Sequence, residues 1–387
     1  MSDFASLLSS FKQDASAVSA ASKSSSGAAT SSNQDRQQNN KPSRKRPLAT
    51  TSAPASPHFP SMHSNKRKNT DFELTFLGIG AQKAGTTWLH KLLQKCSDIS
   101  LPQEQKEVHF WDWHHRKGFE WYIRQFGYHS QKAASSSAAL HYGEITPCYA
   151  VLPEPTIAEL YKCFPNLKII FVARDLVDRA WSAMIMELRD QTMGLSAGEF
   201  ANGVTGTDKK NNTNHANKRT KLSAAQQRRL EQQSSPSSQP DSYFLDRLRN
   251  ATHDSRSNYA KHLSNWYKHF PSSSILLIDY REIESNPRDV LLKVAMHIGV
   301  EEEKAKQFVT SLNDNEVGQR VNAATTSVSG ASTGSSTSSH QLLTQRPMLK
   351  KQMESYLQPY AREFNDMLKT KGYDWRLDDF SLKKEKL

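Results

Sequence analysis

Gly80 and Gly85 stand at the spacing of a phosphate loop in the run FLGIGAQKAGTTWLHKLLQK, residues 76–95. A nucleotide-triphosphate loop reads G-x-x-x-x-G-K-[ST]. Here Thr86 occupies the position after the second glycine, and the lysine inside the loop is Lys83. Glycines between a strand and a helix let backbone N–H groups converge on an anion, and the helix N-terminus adds its positive dipole end. Residues 80–87 therefore predict a phosphate or sulfate site, the alternative being a turn that only packs helix on strand. A second constellation lies in VARDLVDRAWSAM. Arg174 ends an apolar run and Ser182 follows eight residues on. About two helical turns of separation would let both meet one phosphate from the same side. The competing reading pairs Arg174 with Asp175 or Asp178 and leaves Ser182 as ordinary helix surface.

Strands and helices must position these groups. ELTFLGIG reads as a buried parallel strand ending in glycines, and TTWLHKLLQK places Trp88, Leu89, Leu92 and Leu93 on one helical face. LKIIFVARD and SILLIDYREI are two further buried strands, rich in β-branched and apolar residues. GFEWYIRQF, PTIAELYKCFP (with Ile157, Leu160 and Tyr161 inward), LVDRAWSAMIMELRD, the stretch from Ser242 to Pro271, PRDVLLKVAMHIGV and the block from Met348 to Trp375 have helical spacing. Strands alternating with helices imply an α/β fold: one P-loop-like domain with a parallel central sheet flanked by helices. Ligands of such folds bind beyond the carboxyl ends of the strands, where both constellations fall.

Composition limits the folded part. The first 70 residues are rich in Ser, Ala, Gln and Asn, and the stretches at about 202–240 and 323–345 are similar. Such segments bury too little apolar surface to offset their ordering entropy, so all three are expected to be disordered, the latter two as inserts in a domain spanning 71–380. About 250 residues remain, enough for one α/β core. The net charge is +12, much of it in KPSRKRP, NKRK and KRTK, which read as solvated charge runs and give no clear nucleic-acid signal. Three cysteines are too few and scattered for a disulfide framework or a zinc site. No membrane anchor or secretory signal is visible, which points to the cytoplasm or nucleus.

QKAGTTWL followed by VARDLVDRAWSAM resembles the two cofactor motifs of the sulfotransferases, which use 3′-phosphoadenosine 5′-phosphosulfate (PAPS). KEVHFWDWHHRKGFEWYIRQF, YGEITPCYA, RSNYAKHLSNWYKHFPSSSILLIDYREIESNP and the closing QPYAREFNDML and GYDW are similar to the Golgi heparan sulfate sulfotransferases and their bacterial relatives. The resemblance covers most of residues 72–377 outside the inserts. It implies that Gly80, Gln82, Lys83, Ala84, Gly85, Thr86, Thr87 and Trp88 hold the 5′-phosphosulfate, and that Arg174 and Ser182 hold the 3′-phosphate. Such a donor has no γ-phosphate and needs no metal, so no lysine is needed after the second glycine. Lys83 is placed to meet the oxygen from which the sulfuryl group departs.

The implied reaction is in-line transfer of that group to a hydroxyl or amine of an acceptor, carbohydrate or otherwise. Glu107 in KEVHF matches the family's base, and His109 is the rival. If EVHFW is extended, the two point to one face. Arg320, Arg346 and Lys350 are further cations available to the 3′-phosphate. Heparan sulfate enzymes often carry a second lysine in an E-K-[TS] triplet. Here the triplet is Glu144, Ile145, Thr146, as in some bacterial relatives, which counts against a heparan acceptor. The Golgi enzymes' C-terminal disulfide has no cysteines here, although the family's glycan enzymes suggest the Golgi. Two other readings stay open. ILLIDY could make Asp279 a Walker B carboxylate in a kinase or NTPase, and a basic relative could bind sulfated glycans or nucleic acid without turnover.

Overall fold

The computed structural model describes residues 72–128, 140–192, 235–318 and 339–380. The tail of residues 1–70, insert residues 202–234 and 323–338, and Arg320 lie outside the described residues.

The chain enters through β1 (Leu74–Gly80), buried along its length except for the half-buried Thr75. A five-residue loop leads to α1 (Thr86–Leu93), whose Trp88, Leu89, Leu92 and Leu93 are all buried, as their spacing predicts. β2 (Ile99–Ser100) is a short edge strand. A π-helical turn (Phe110–His114) and a 3₁₀ turn (His115–Lys117) lead into α2 (Phe119–Arg124). β3 (His141–Ile145), a 3₁₀ turn (Pro147–Val151), α3 (Glu154–Cys163) and β4 (Lys168–Ala173) follow. α4 (Leu176–Thr192) ends the first half. The second half contains α5 (Asp241–Arg249), α6 (Ala251–Ser257), α7 (Tyr259–Tyr267), β5 (Ile275–Asp279) and α8 (Tyr280–Ser285). It closes with α9 (Pro287–Ile298), α10 (Glu302–Ser311), α11 (Asp314–Val317), α12 (Ser339–Thr344) and α13 (Pro347–Thr370).

The five strands form one parallel sheet in the order β2-β3-β1-β4-β5. Parallel strands need crossovers that place helices over the faces, which is why β1, β4 and β5 read as nearly unbroken apolar runs. Gly143 shows how closely the strands and their side chains pack: a Cβ there would lie 2.3 Å from the Phe76 ring. The register pairs Gly78 with Ile145, Gly80 with Phe171, and Ala173 with Asp279. The loops after β1, β3, β4 and β5 therefore leave from one edge of the sheet. Strand order reverses at β1, so the crevice beside its carboxyl end is the binding position of a doubly wound fold.

The α/β architecture is the one expected, with several local differences. β2 and β3 were not evident, because β2 has two residues and HYGEI mixes polar residues with a glycine. YRE in SILLIDYREI starts α8 instead of extending the strand, since Asp279 caps that helix by accepting from the Arg281 amide. Ser242 to Pro271 forms three helices, two of them capped by Asn250 and Asn258. Tyr161 is 37 % exposed; Phe164, one turn on, takes the inward position at 2 %. The expected second insert ends in α12, where Leu343 is buried.

Candidate active site

The loop after β1 is built for an anion. Lys83 (φ 67°) and Gly85 (φ 79°) both adopt left-handed backbone, and such turns create concave arrangements of amides. The loop is tied down by Ala81 N–H donating to Val172 O (2.9 Å) and Ala84 N–H to Ala81 O (3.2 Å). Gly85 caps α1 without a side-chain hydrogen bond, and the first turn of α1 has no acidic residue. The first amides of a helix have no intrahelical acceptor, so this N-terminus offers donors that nothing in its own sequence satisfies. Thr86 is buried and Thr87 half-buried. The Trp88 indole turns away and donates to Val317 O at 2.9 Å, so its side chain packs α1 and only its backbone belongs to the cradle.

Lys83 is the loop's cation. Burial, helped by the charges of Arg189 and Arg174, lowers its pKa to about 8 against the opposing pull of Asp190 and Glu107. Its Nζ lies 3.6 Å from Met186 Sδ. Arg174, just past β4, donates from Nη1 to Lys83 O at 2.8 Å, and its guanidinium sits 4.7 Å from the Tyr280 ring centre. Its Nε is buried without a hydrogen-bond partner among the described residues. Asp175 instead accepts from the Asp178 amide at 2.9 Å and caps α4. Among the described residues Arg174 pairs with neither aspartate. Ser182 is half-buried, two turns into α4.

The base candidates meet through geometry the sequence did not suggest. EVHFW is not extended: His109 is left-handed at φ 52°, and its carbonyl accepts from Trp113 and His114 as the π-helical turn begins. Even so, His109 Nε2 lies 3.5 Å from Glu107 Oε2, and Nδ1 lies 2.8 Å from Asp112 Oδ2. The imidazole stacks on Trp113 with ring centres 4.1 Å apart. Burial alone would lower the His109 pKa; hydrogen bonds and charges from Asp112 and Glu107 outweigh it and raise the pKa to about 9. Burial alone would raise Glu107; Lys106, 2.6 Å from Oε1, together with His109 brings it down to about 2. An Asp112, His109, Glu107 chain thus ends in an ionised carboxylate whose charge Lys83 feels.

Asp112 and Arg256 are the residues that sequence reasoning missed. Asp112 stands three residues after His109, a spacing that becomes a signal only if the segment is helical. Arg256, at the end of α6, donates to Gln82 Oε1 (2.9 Å) and to Cys148 Sγ (3.4 Å), holding the loop from the far side. His109, Asp112 and Cys148 hold their ligating atoms within 4.8 Å of one another. The guanidinium on the sulfur and the imidazole–carboxylate bond already engage these atoms. Ile145 is buried and would lie 2.8 Å from a Cβ at Gly78, so its side chain faces β1.

Arg346 and Lys350 are not joined to the loop by any contact among the described residues. Arg346 pairs with Asp241 at 2.6 Å and donates to the carbonyls of Pro236 and Ser237, and Lys350 lies 3.7 Å from Glu354. Asp279 accepts from the backbone N–H and Nε of Arg281 (2.9 and 2.7 Å), the work of a helix cap rather than of a Walker B carboxylate. No helix among the described residues is long and apolar enough to cross a membrane.

Known proteins bear on this geometry. The sequence matches the Sulfotransferase domain family over residues 75–367, which is most of the chain. It is 34 % identical over 107 residues to a membrane-associated sulfotransferase of Dictyostelium discoideum, covering 28 % of this chain and 21 % of that protein. It is 24 % identical to a bifunctional heparan sulfate N-deacetylase/N-sulfotransferase of Drosophila melanogaster over 59 % of this chain and 20 % of that protein. The matches thus span about a fifth of these curated relatives. A sulfotransferase crystal structure from Alicyclobacillus acidocaldarius aligns with TM-score 0.46 and 17 % identity over 77 % of this chain and 96 % of that one. On the family match, the chain belongs to the sulfotransferases.

Proposed function

We propose that this protein transfers the sulfuryl group of PAPS to a hydroxyl or amine of an acceptor, a carbohydrate or similar compound, through a single catalytic domain at 71–380. One observation carries the reading. A half-buried loop lysine beside a helix N-terminus with no side-chain cap lies within the electrostatic reach of a carboxylate backed by histidine and aspartate. The residues present fit the donor. Lys83, the α1 amides, Thr86 and Thr87 would hold its 5′ end; Arg174, whose buried Nε lacks a partner among the described residues, and Ser182 would hold its 3′-phosphate. The carbohydrate class draws support from the heparan sulfate wording in the name of the fly relative.

The donor supplies a sulfuryl group and, as its leaving group, adenosine 3′,5′-bisphosphate. The acceptor oxygen forms its bond to sulfur as the bond to the 5′-phosphate oxygen breaks, and the acceptor proton must leave. Lys83 and the α1 N-terminus stabilise charge growing on the departing oxygen. Glu107 takes the proton. Its low pKa makes it a weak base, which suffices because an oxygen bonded to a sulfuryl group is strongly acidic. His109 already carries a proton at neutral pH, so it is better suited to orient Glu107 than to replace it. None of these steps uses a metal ion.

Incubation with ³⁵S-labelled PAPS and mixed acceptors tests the reading directly. Label should pass to acceptor with the wild type and not with Lys83→Ala, and calorimetry should show bisphosphate binding without Mg²⁺. ATP binding that requires Mg²⁺ would favour a nucleotide triphosphatase, and donor binding without transfer would favour a binding module.

A further inference from the structure

Glu144, one residue before the end of β3, is fully buried, and its hydrogen-bond partners among the described residues are all neutral groups. Oε1 accepts from the hydroxyls of Tyr122 (2.7 Å) and Tyr149 (3.1 Å). Oε2 accepts from the Thr146 hydroxyl (2.6 Å) and the Val108 amide (3.2 Å). In its ionised form the carboxylate only accepts, and the Thr146 and Tyr149 hydroxyls then point their protons at it. Their lone pairs are left facing outward, and each meets an amide. Val108 N–H also reaches Thr146 Oγ1 at 3.2 Å, and Phe110 N–H donates to Tyr149 Oη at 2.8 Å. These are the backbone amides of the two residues that flank His109.

His109 sits between them in left-handed backbone, an uncommon conformation for a residue with a Cβ. Such a conformation persists where its surroundings over-determine it. The segment that presents Glu107 and His109 is therefore held at two points by one polar cluster from another strand and turn.

We propose that Glu144 is a positioning residue: it sets the direction of the Thr146 and Tyr149 hydroxyls and thereby fixes the backbone that presents Glu107 and His109. The inference rests on the transfer reaction proposed above. It gives this carboxylate a task that the reaction scheme leaves open. Burial raises its pKa to about 7, partly offset by its hydrogen bonds, in keeping with a carboxylate whose hydrogen-bond partners among the described residues include no cation.

Glu144→Gln tests the proposal. Gln is isosteric but carries an NH₂ group, which must face one pair of donors, so one hydroxyl has to turn round and release its amide. Turnover is expected to fall about tenfold or more, the scale of a misplaced reacting group, while bisphosphate affinity by calorimetry changes less than about twofold. Tyr149→Phe, which removes one oxygen and frees the Phe110 amide, should act in the same direction and carries the same readouts if Glu144→Gln does not fold. In a Glu107→Gln background, where the base is already gone, Glu144→Gln should cost little more, whereas losses that multiply in full would overturn the proposal. A readout independent of turnover is the titration of His109 by NMR, raised by Glu107 and Asp112. Its midpoint should fall toward that of a free imidazole in Glu144→Gln. An unchanged midpoint overturns the positioning role even if transfer is seen. Absence of transfer by the wild type would sink the proposed reaction, while the titration would still decide what Glu144 does.

Discussion

At the scale of single residues, the site separates two groups that could take a proton. Glu107 is held ionised by Lys106 and His109, and His109 is held protonated by two carboxylates. Glu107→Gln should lower turnover by about 10²–10⁴-fold with donor affinity nearly intact, the cost of losing a general base. His109→Ala should cost less; the reverse ranking in steady-state kinetics would make histidine the base. Lys83 gives a second prediction with a definite sign. Its pKa is lowered to about 8, so the ammonium is lost as pH rises through that value. An anion binds the ammonium form better. Bisphosphate affinity should therefore fall above pH 8, and binding there should draw up to one proton from solvent. Calorimetry at pH 8.5 in buffers of different ionisation enthalpy measures that uptake, and its absence would show that Lys83 does not face the ligand.

The loop and its flanking elements were legible in sequence because their signals are local. An apolar run, two glycines and a helix with one buried face predict a strand, a cradle and a helix without knowledge of anything else, and β1, the loop and α1 are arranged so. The base segment was legible only in part. Glu107 and His109 do meet, but through a left-handed turn rather than an extended strand. Arg256 and Asp112 carried no local signal, because their partners lie on other elements or depend on a π-helical turn, and Glu144 was legible only as part of a triplet, since its partners lie on other elements. Arg346 shows the converse: a cation near the expected end of an insert is engaged by Asp241 and two carbonyls. The element-scale test is Gly85→Ala. A Cβ there would lie 3.2 Å from Ile283 Cδ1 on a residue at φ 79°. The left-handed backbone alone should cost about 1–2 kcal/mol. Strain at this turn should also tilt α1, so weaker bisphosphate binding should accompany a lower melting temperature. A variant that loses stability while binding the ligand as well as wild type would separate the turn from the cradle.

At the scale of the whole molecule, the question is which parts of the chain the fold needs. One core runs from Phe72 to Leu377, and its buried residues come from every strand and most helices. Residues 205–234 contribute nothing large and apolar beyond Leu222 and Leu230, and composition argues that they are dispensable. The boundary matters. Pro236 and Ser237 present carbonyls to Arg346, whose guanidinium also lies over the Phe244 ring at 5.4 Å, and Phe244 packs on Trp181 of α4. Replacing 205–234 with a short Gly-Ser linker should leave the melting temperature and bisphosphate affinity near wild type. Extending the deletion through 238 removes both carbonyl acceptors and should lower the melting temperature by several degrees, at about 1.5–3 kcal/mol per lost hydrogen bond to a charged group. Calorimetric melting of the two deletions side by side decides the matter. Equal losses would mean that the insert itself supports the fold, and equal retention would mean that the Arg346 clamp is idle.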